Sequence, residues 1–350
     1  MRIALLALLA ACRTHAREPA PVKPAPRAPV AVPISDPAEY AIDRISREAG
    51  EAIFTRTGIG DPYRTGLPYP IFLALLHAYP KTFGANTQEL AGKFGFVARE
   101  PDPKSEDPDV REGLPVGMHL TTDPATGVPF VVTSCALCHA ERVAGKLVVG
   151  LGNKRVRVHA YDAAFARIAP KLSVEKLERL AVEAARERHV AWPDAYREAF
   201  VGGTVAALKQ RARDRGELLA RVADGPPGRV ATIESFVPVL AQLAHHPVAY
   251  APEVGWAKIP DVIGFAQRTT LSWDGSGEGP MDLLVVEADV AAGVRPEWME
   301  KHPFQGASLG AYLRQPDERP AFPGKIDRKL AARGKELFGE HCVRCHGSYD

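Results

Sequence analysis

Two thiols three positions apart, with a histidine directly after the second, occur twice in the chain: Cys135-Ala136-Leu137-Cys138-His139 and Cys342-Val343-Arg344-Cys345-His346. On a single helical turn such thiols share one side, so both can add to the vinyl groups of one porphyrin, and the next residue turns its imidazole to the iron. Cys135, Cys138, Cys342 and Cys345 therefore read as thioether attachment points for two covalently bound haem c groups, with His139 and His346 as proximal iron ligands. With 5 Cys and 11 His in 350 residues, random placement gives on the order of 0.002 such pentapeptides per chain, so chance does not explain a pair. A zinc site is the competing reading, but zinc ribbons bring their Cys pairs within about 15 to 20 residues, far closer than these two.

The sixth ligand of the first iron decides what the site can do. A methionine or second histidine there makes a low-spin electron carrier, whereas an open position admits O2 or peroxide. The candidates are Met118, His119, His159, His245, His246 and His302, with Met118 and His119 lying nearest the first motif. Trp256, Trp273 and Trp298 are candidates for electron tunnelling between haems, with plain packing the commoner role of such a residue. Arg155 and Arg157 are candidates for propionate pairing, with surface solvation the plainer alternative. Gly306-Ala307-Ser308-Leu309-Gly310 matches the nucleophile-elbow pattern of hydrolases only formally, because neither a buried strand nor αβ alternation surrounds it. Asp274-Gly275-Ser276-Gly277-Glu278-Gly279 lacks the spaced carboxylates of a calcium loop and reads as a turn.

The rest of the chain has to position these residues. Its 46% hydrophobic and 25% charged composition is that of a globular protein able to bury a core. A formal charge of +2 argues against a nucleic-acid partner, as does a longest basic cluster, Lys209-Gln210-Arg211-Ala212-Arg213, that is soon followed by Asp214 and Glu217. At the amino terminus, Arg2 precedes an apolar run, Ile3 to Ala11, that fits a secretory signal and is too short to span a bilayer. It ends in Leu9-Ala10-Ala11-Cys12, which looks like a bacterial lipobox whose cysteine is acylated; an ordinary cleaved signal is the alternative, although no A-x-A site precedes residue 12. Arg13 in place of an aspartate favours outer-membrane sorting. The expectation is a lipoprotein on the periplasmic side, attached to the membrane through lipid alone and exchanging electrons with a periplasmic redox partner. With Cys12 lipidated and four cysteines on haem, no thiol is left for a disulfide.

Residues 1–12 thus read as signal peptide and 13–38 as a Pro/Ala-rich tether that cannot build a core. Residues 39–323 read as a first haem-binding domain and 324–350 as the start of a second. Within the first, Leu67 to Leu76 predicts a buried helix, Pro101 to Asp109 a surface loop, and Phe130 to Thr133 a strand. Lys146 to Val149 and Val156 to Val158, flanking Gly150-Leu151-Gly152-Asn153, have the pattern of a small hairpin. Leu177, Leu180, Ala181 and Ala184 after a Ser173 cap predict a helix, followed by helices over Val205–Val222 and Ile233–Ala244. Pro247 to Pro323 reads as loops and short helices around a cofactor. Ile326 to Glu340 reads as an amphipathic helix leading into the second motif.

Gly334 to Gly347 resembles the amino-terminal helix and haem site of a class I cytochrome c domain, a fold in which a further helix and a distal-ligand loop follow; the chain reads as cut off before them. Leu114-Pro115-Val116-Gly117, the segment Lys146 to Asp162, and Pro260 to Gly275 with Trp273-Asp274-Gly275 are similar to the di-haem cytochromes of the bacterial cytochrome c peroxidase and rubber-oxygenase type, a resemblance covering residues 65 to 350. The wide gap between the motifs fits the rubber-oxygenase relatives better, although that family often carries aromatics where this chain has Ile263 and Thr270. The resemblance implies a mainly α fold of c-type cytochrome architecture: a large first haem domain with a small β-hairpin, then the start of a class I cytochrome c domain. It implies haem-based redox chemistry and electron transfer, extending to peroxide reduction or O2 activation at the first haem. The alternative is a pure electron-transfer cytochrome with both haems six-coordinate.

Overall fold

The computed structural model describes residues 47–58, 60–232, 235, 237–238, 241, 246–250, 252–263, 298, 301–314, 321 and 324–346, all in one unit, Tyr40–Asp350. The signal segment with Cys12, the 13–38 tether, His245, Thr270, Trp273, the 274–279 turn and most of the 233–244 helix lie outside the described residues.

The chain is mainly helical with small antiparallel sheets. Helix α1 (Tyr69–Ala78) is apolar nearly all round and is buried accordingly, from Tyr69 to Phe72 and again at Ala74, Leu75 and Leu76. Pro70 lies in its first turn, where a missing N–H costs nothing. Helix α2 (Thr87–Phe94) starts on Asn86, whose side chain accepts from the N–H groups of Gln88 and Glu89, and stops at Gly95 in the left-handed conformation. Helix α3 (Val158–Ile168) leads to α4 (Val174–Glu187), capped as expected by Ser173, whose Oγ accepts from the Lys176 N–H at 3.2 Å.

Helix α5 (Asp194–Val222) begins well before the expected Val205. Gly202-Gly203 weakens the helical signal by about 1 kcal/mol per glycine, but Val201 and Val205 on either side are buried and tertiary packing prevails. Helix α1 packs along α4 and α3 along α5. Their apolar faces meet Met118, Val128, Phe130 and Val131 in the main core.

Strands β1 (Leu67–Pro68), β2 (Met118–Thr122) and β3 (Pro129–Thr133) form a sheet in the order β1-β3-β2, with His119 opposite Val132. The small hairpin forms one strand earlier than its sequence pattern predicts. Strand β4 (Ala140–Val143) pairs with β5 (Lys146–Val149), while Val158 opens α3. Ala144 and Gly145 at the bend have φ of 49° and 81°, the two positive angles a type I′ turn needs. Alanine carries no turn signal, which is why Gly150 to Asn153 attracted the assignment. Strands β6 (Arg229–Ala231) and β7 (Trp256–Lys258) close a third ladder.

The 101–109 segment is a surface loop down to Asp107, whose carboxylate caps the short helix Pro108–Arg111. That helix delivers Asp109 to β2: its Oδ2 lies 2.6 Å from His119 Nδ1 and its Oδ1 accepts from the Leu120 N–H at 2.7 Å. Burial alone would push this carboxyl up, but the bonds from His119 and Leu120, aided by Arg99, outweigh it and hold Asp109 below the ordinary carboxylate range. Asp109→Asn is expected to cost about 2 kcal/mol at pH 7. A group whose pKa is depressed on folding stabilises above its unfolded value and loses that contribution as pH falls through the folded one. The gap between variant and wild type should therefore narrow below pH 3.8, as urea midpoints across pH would show.

Helix α6 (Pro303–Leu313) carries Gly306 to Gly310 in its middle, so the elbow-like pattern sits on a helix face and not at a strand-to-helix turn. Helix α7 (Arg328–His341) is capped by Asp327 and buries none of its residues. Among the described residues no helix is long and apolar enough to cross a membrane.

Candidate functional site

The first motif begins directly after β3. Ser134 donates its N–H to Gly117 O at 2.8 Å, and Cys135–Leu137 then forms a 3₁₀ turn in which the N–H groups of Cys138 and His139 both return to Cys135 O. Cys135 and Cys138 thus lie on one turn and are not joined in a disulfide. Two glycines let neighbouring backbone reach it. A Cβ on Gly117 would lie 2.1 Å from Leu137 N, and one on Gly58 would lie 2.2 Å from Thr133 O.

His139 is only partly exposed, and its Nδ1 lies 3.0 Å from the Pro260 carbonyl oxygen, an acceptor that obliges Nδ1 to carry the proton. Desolvation lowers the imidazole pKa, against the opposing pull of Pro260 O and Asp261, so the ring is neutral at pH 7 with its Nε2 lone pair available. That is the state and tautomer a metal-ligating histidine needs, with the carbonyl as outer-shell partner. Cys138 keeps some exposed surface, yet desolvation, helped by the negative charge of Asp162, pushes its thiol up to about 12.

Apolar side chains surround the turn. Ile53 and Phe54, from a π-helical turn (Ile53–Thr57), pack with Val97, Val116, Ala136, Ala140 and Leu309, and Cys135, Val149, Val262, Tyr312 and Leu313 join them. Phe54 lies 6.2 Å from the His139 ring and 5.4 Å from that of Tyr312, centroid to centroid. Helix α6 reaches this place because Gly50 offers no side chain: a Cβ there would stand 1.9 Å from Ser308 O. Gln305 Oε1 accepts from the Gly60 N–H at 3.1 Å and fixes the same crossing.

The chain matches no protein-family model, no curated protein and no solved structure. The functional reading rests on the residues themselves. Among the described residues no three His, Cys, Asp or Glu side chains converge as a metal cage would require, those of Cys135, Cys138 and His139 included.

The other candidates are scattered. Met118 is fully buried in the main core. His119 has Nδ1 on Asp109, while its buried Nε2 meets no hydrogen-bond partner among the described residues. His159 Nε2 accepts the Ala231 N–H at 2.8 Å, and its ring leans on Trp256. His302 is exposed, stacked on Trp298 at 4.0 Å with Nδ1 on the Trp298 carbonyl; His246 is exposed too. Arg155 pairs with the buried Glu141 at 2.8 Å, and Arg157 is exposed at the start of α3. In the second motif Cys342 ends α7, and the backbone turns again through Val343–His346. Phe54, Tyr312 and the role of Pro260 as partner of His139 were not read from the sequence. Only contacts between segments far apart in sequence, 121 positions for Pro260 and His139, bring these residues to the motif, and no local pattern encodes such contacts.

Proposed function

We propose that this chain is an exported di-haem c-type cytochrome that performs one-electron redox chemistry. The observation that carries the proposal is the His139 imidazole, held neutral with Nδ1 on Pro260 O beside the two cysteines Cys135 and Cys138 on one turn. Cys135 and Cys138 tether the first haem and His139 orients it; Cys342, Cys345 and His346 do so for the second. Bound haem supplies an iron centre that cycles by single electrons at a potential set by its ligands and surroundings. Phe54, Val262, Tyr312 and Leu313 limit water at the first site and so keep its dielectric low. The finer architecture, a first haem domain followed by the start of a class I cytochrome c domain, belongs to this proposal. So do the lipid anchor at Cys12, the periplasmic location and the periplasmic redox partner.

Mass analysis and a pyridine haemochrome assay of the mature protein should give two covalent haems per chain; none would refute the reading. Within it, the first haem is the one that meets peroxide or O2. The rival, a carrier with both irons six-coordinate, draws support from His119, whose carboxylate-bound Nδ1 and unpartnered Nε2 resemble a metal-ligating imidazole. A high-spin ferric EPR signal that responds to cyanide supports the first. Low-spin signals alone, indifferent to cyanide and peroxide in either redox state, establish the carrier.

A further inference from the structure

Gly150-Leu151-Gly152-Asn153, no hairpin turn, lies against the proximal side of the first motif. The Gly150 N–H donates to His139 O at 2.7 Å and the Asn153 N–H to Cys138 O at 2.8 Å, so the loop holds both motif residues by their carbonyls. On its other side the Val262 N–H donates to Gly150 O at 2.7 Å, tying in the segment that presents Pro260. Gly152 sits beneath that segment with no room for a side chain: a Cβ would stand 2.3 Å from Ile259 O and 2.8 Å from Pro260 O. Gly152 is not in the left-handed region, so close approach, and not backbone angle, requires glycine here. Asn153 is fully buried. Its Nδ2 donates to Gly95 O at 2.9 Å and its Oδ1 accepts from the N–H groups of Arg155 and Val156, which anchors the loop to α2.

We infer that Gly150 to Asn153 is a positioning clamp that sets the hydrogen bond between His139 and Pro260 and thereby tunes the first haem. The inference rests on the haem reading above. A histidine that donates Nδ1–H to a carbonyl is a more basic ligand at Nε2, which favours the ferric state and lowers the reduction potential. Loosening the clamp should raise it.

The test is Gly152→Ala in the full-length mature protein, with Gly145→Ala, where a Cβ meets nothing within 4 Å, as the control. The supporting result has three parts: both haems retained by mass, an upward shift in one of the two potentials only, and faster solvent exchange of the His139 Nδ1 proton by NMR. Gly145→Ala should leave potentials and exchange unmoved. If Gly152→Ala does not fold, Asn153→Ser, which drops the bond to Gly95 yet keeps a short acceptor, should give the same changes at smaller size. Unchanged potentials and unchanged exchange in a haem-loaded variant overturn the clamp and leave the haem reading standing. If the wild type carries no haem the functional reading falls, and the clamp is then judged by Nδ1 exchange alone; equal protection in variant and wild type overturns it.

Discussion

On the proposed reading, replacing Cys135 and Cys138 together with alanine should halve the covalent haem, from two groups per chain to one, in a pyridine haemochrome assay. Two thioether bonds from this pair would make attachment of the first haem irreversible; without them His139 would offer a single exchangeable coordination bond. The second site should be spared, because Cys342 and Cys345 belong to a separate motif carried by α7. Denaturing gels stained for haem give an independent readout, since only thioether-bound haem survives unfolding. Two haems still bound after the double replacement would mean that the first motif is not an attachment site.

Gly117→Ala should be the most damaging single methyl in the first site. Gly117 has φ of 86°, a region that costs an L-residue roughly 1–2 kcal/mol. Its added Cβ would stand 2.1 Å from Leu137 N and 2.5 Å from Leu137 Cα, and relieving such an overlap with backbone costs about 1–3 kcal/mol more. The expected loss is about 3 kcal/mol, measured as a lower urea midpoint at unchanged slope. Gly145→Ala shares the positive φ (81°) but faces open space and should lose only about 1 kcal/mol. Equal losses would show that backbone conformation, and not the approach of β2 to the motif turn, demands glycine at 117.

The Cys-x-x-Cys-His motif stands out in the sequence because its pattern is local, and the structure places Cys135, Cys138 and His139 on one turn. Helices α1, α4 and α7 were legible for the same reason, their apolar spacing and, for α4, the Ser173 cap lying within a few positions. The hairpin was misplaced because Ala144 supplies one of the two positive φ angles, and nothing in alanine announces that. Helix α5 was shortened because Gly202-Gly203 reads as a break until the burial of Val201 and Val205 is known. The partner of His139 was invisible because a carbonyl acceptor carries no sequence signature, and Pro260 lies 121 positions away.

The Cys138 thiol has a consequence for how such a molecule is made. Burial holds its pKa far above the ordinary thiol range in the finished fold, so little of it is ionised at pH 7, and the thiolate is the nucleophile. On the proposed reading, porphyrin must be joined while the polypeptide is still open, before folding buries Cys138. A chain that folds empty has passed its chance, so production of active protein should track the supply of porphyrin during export and not its later addition to purified material.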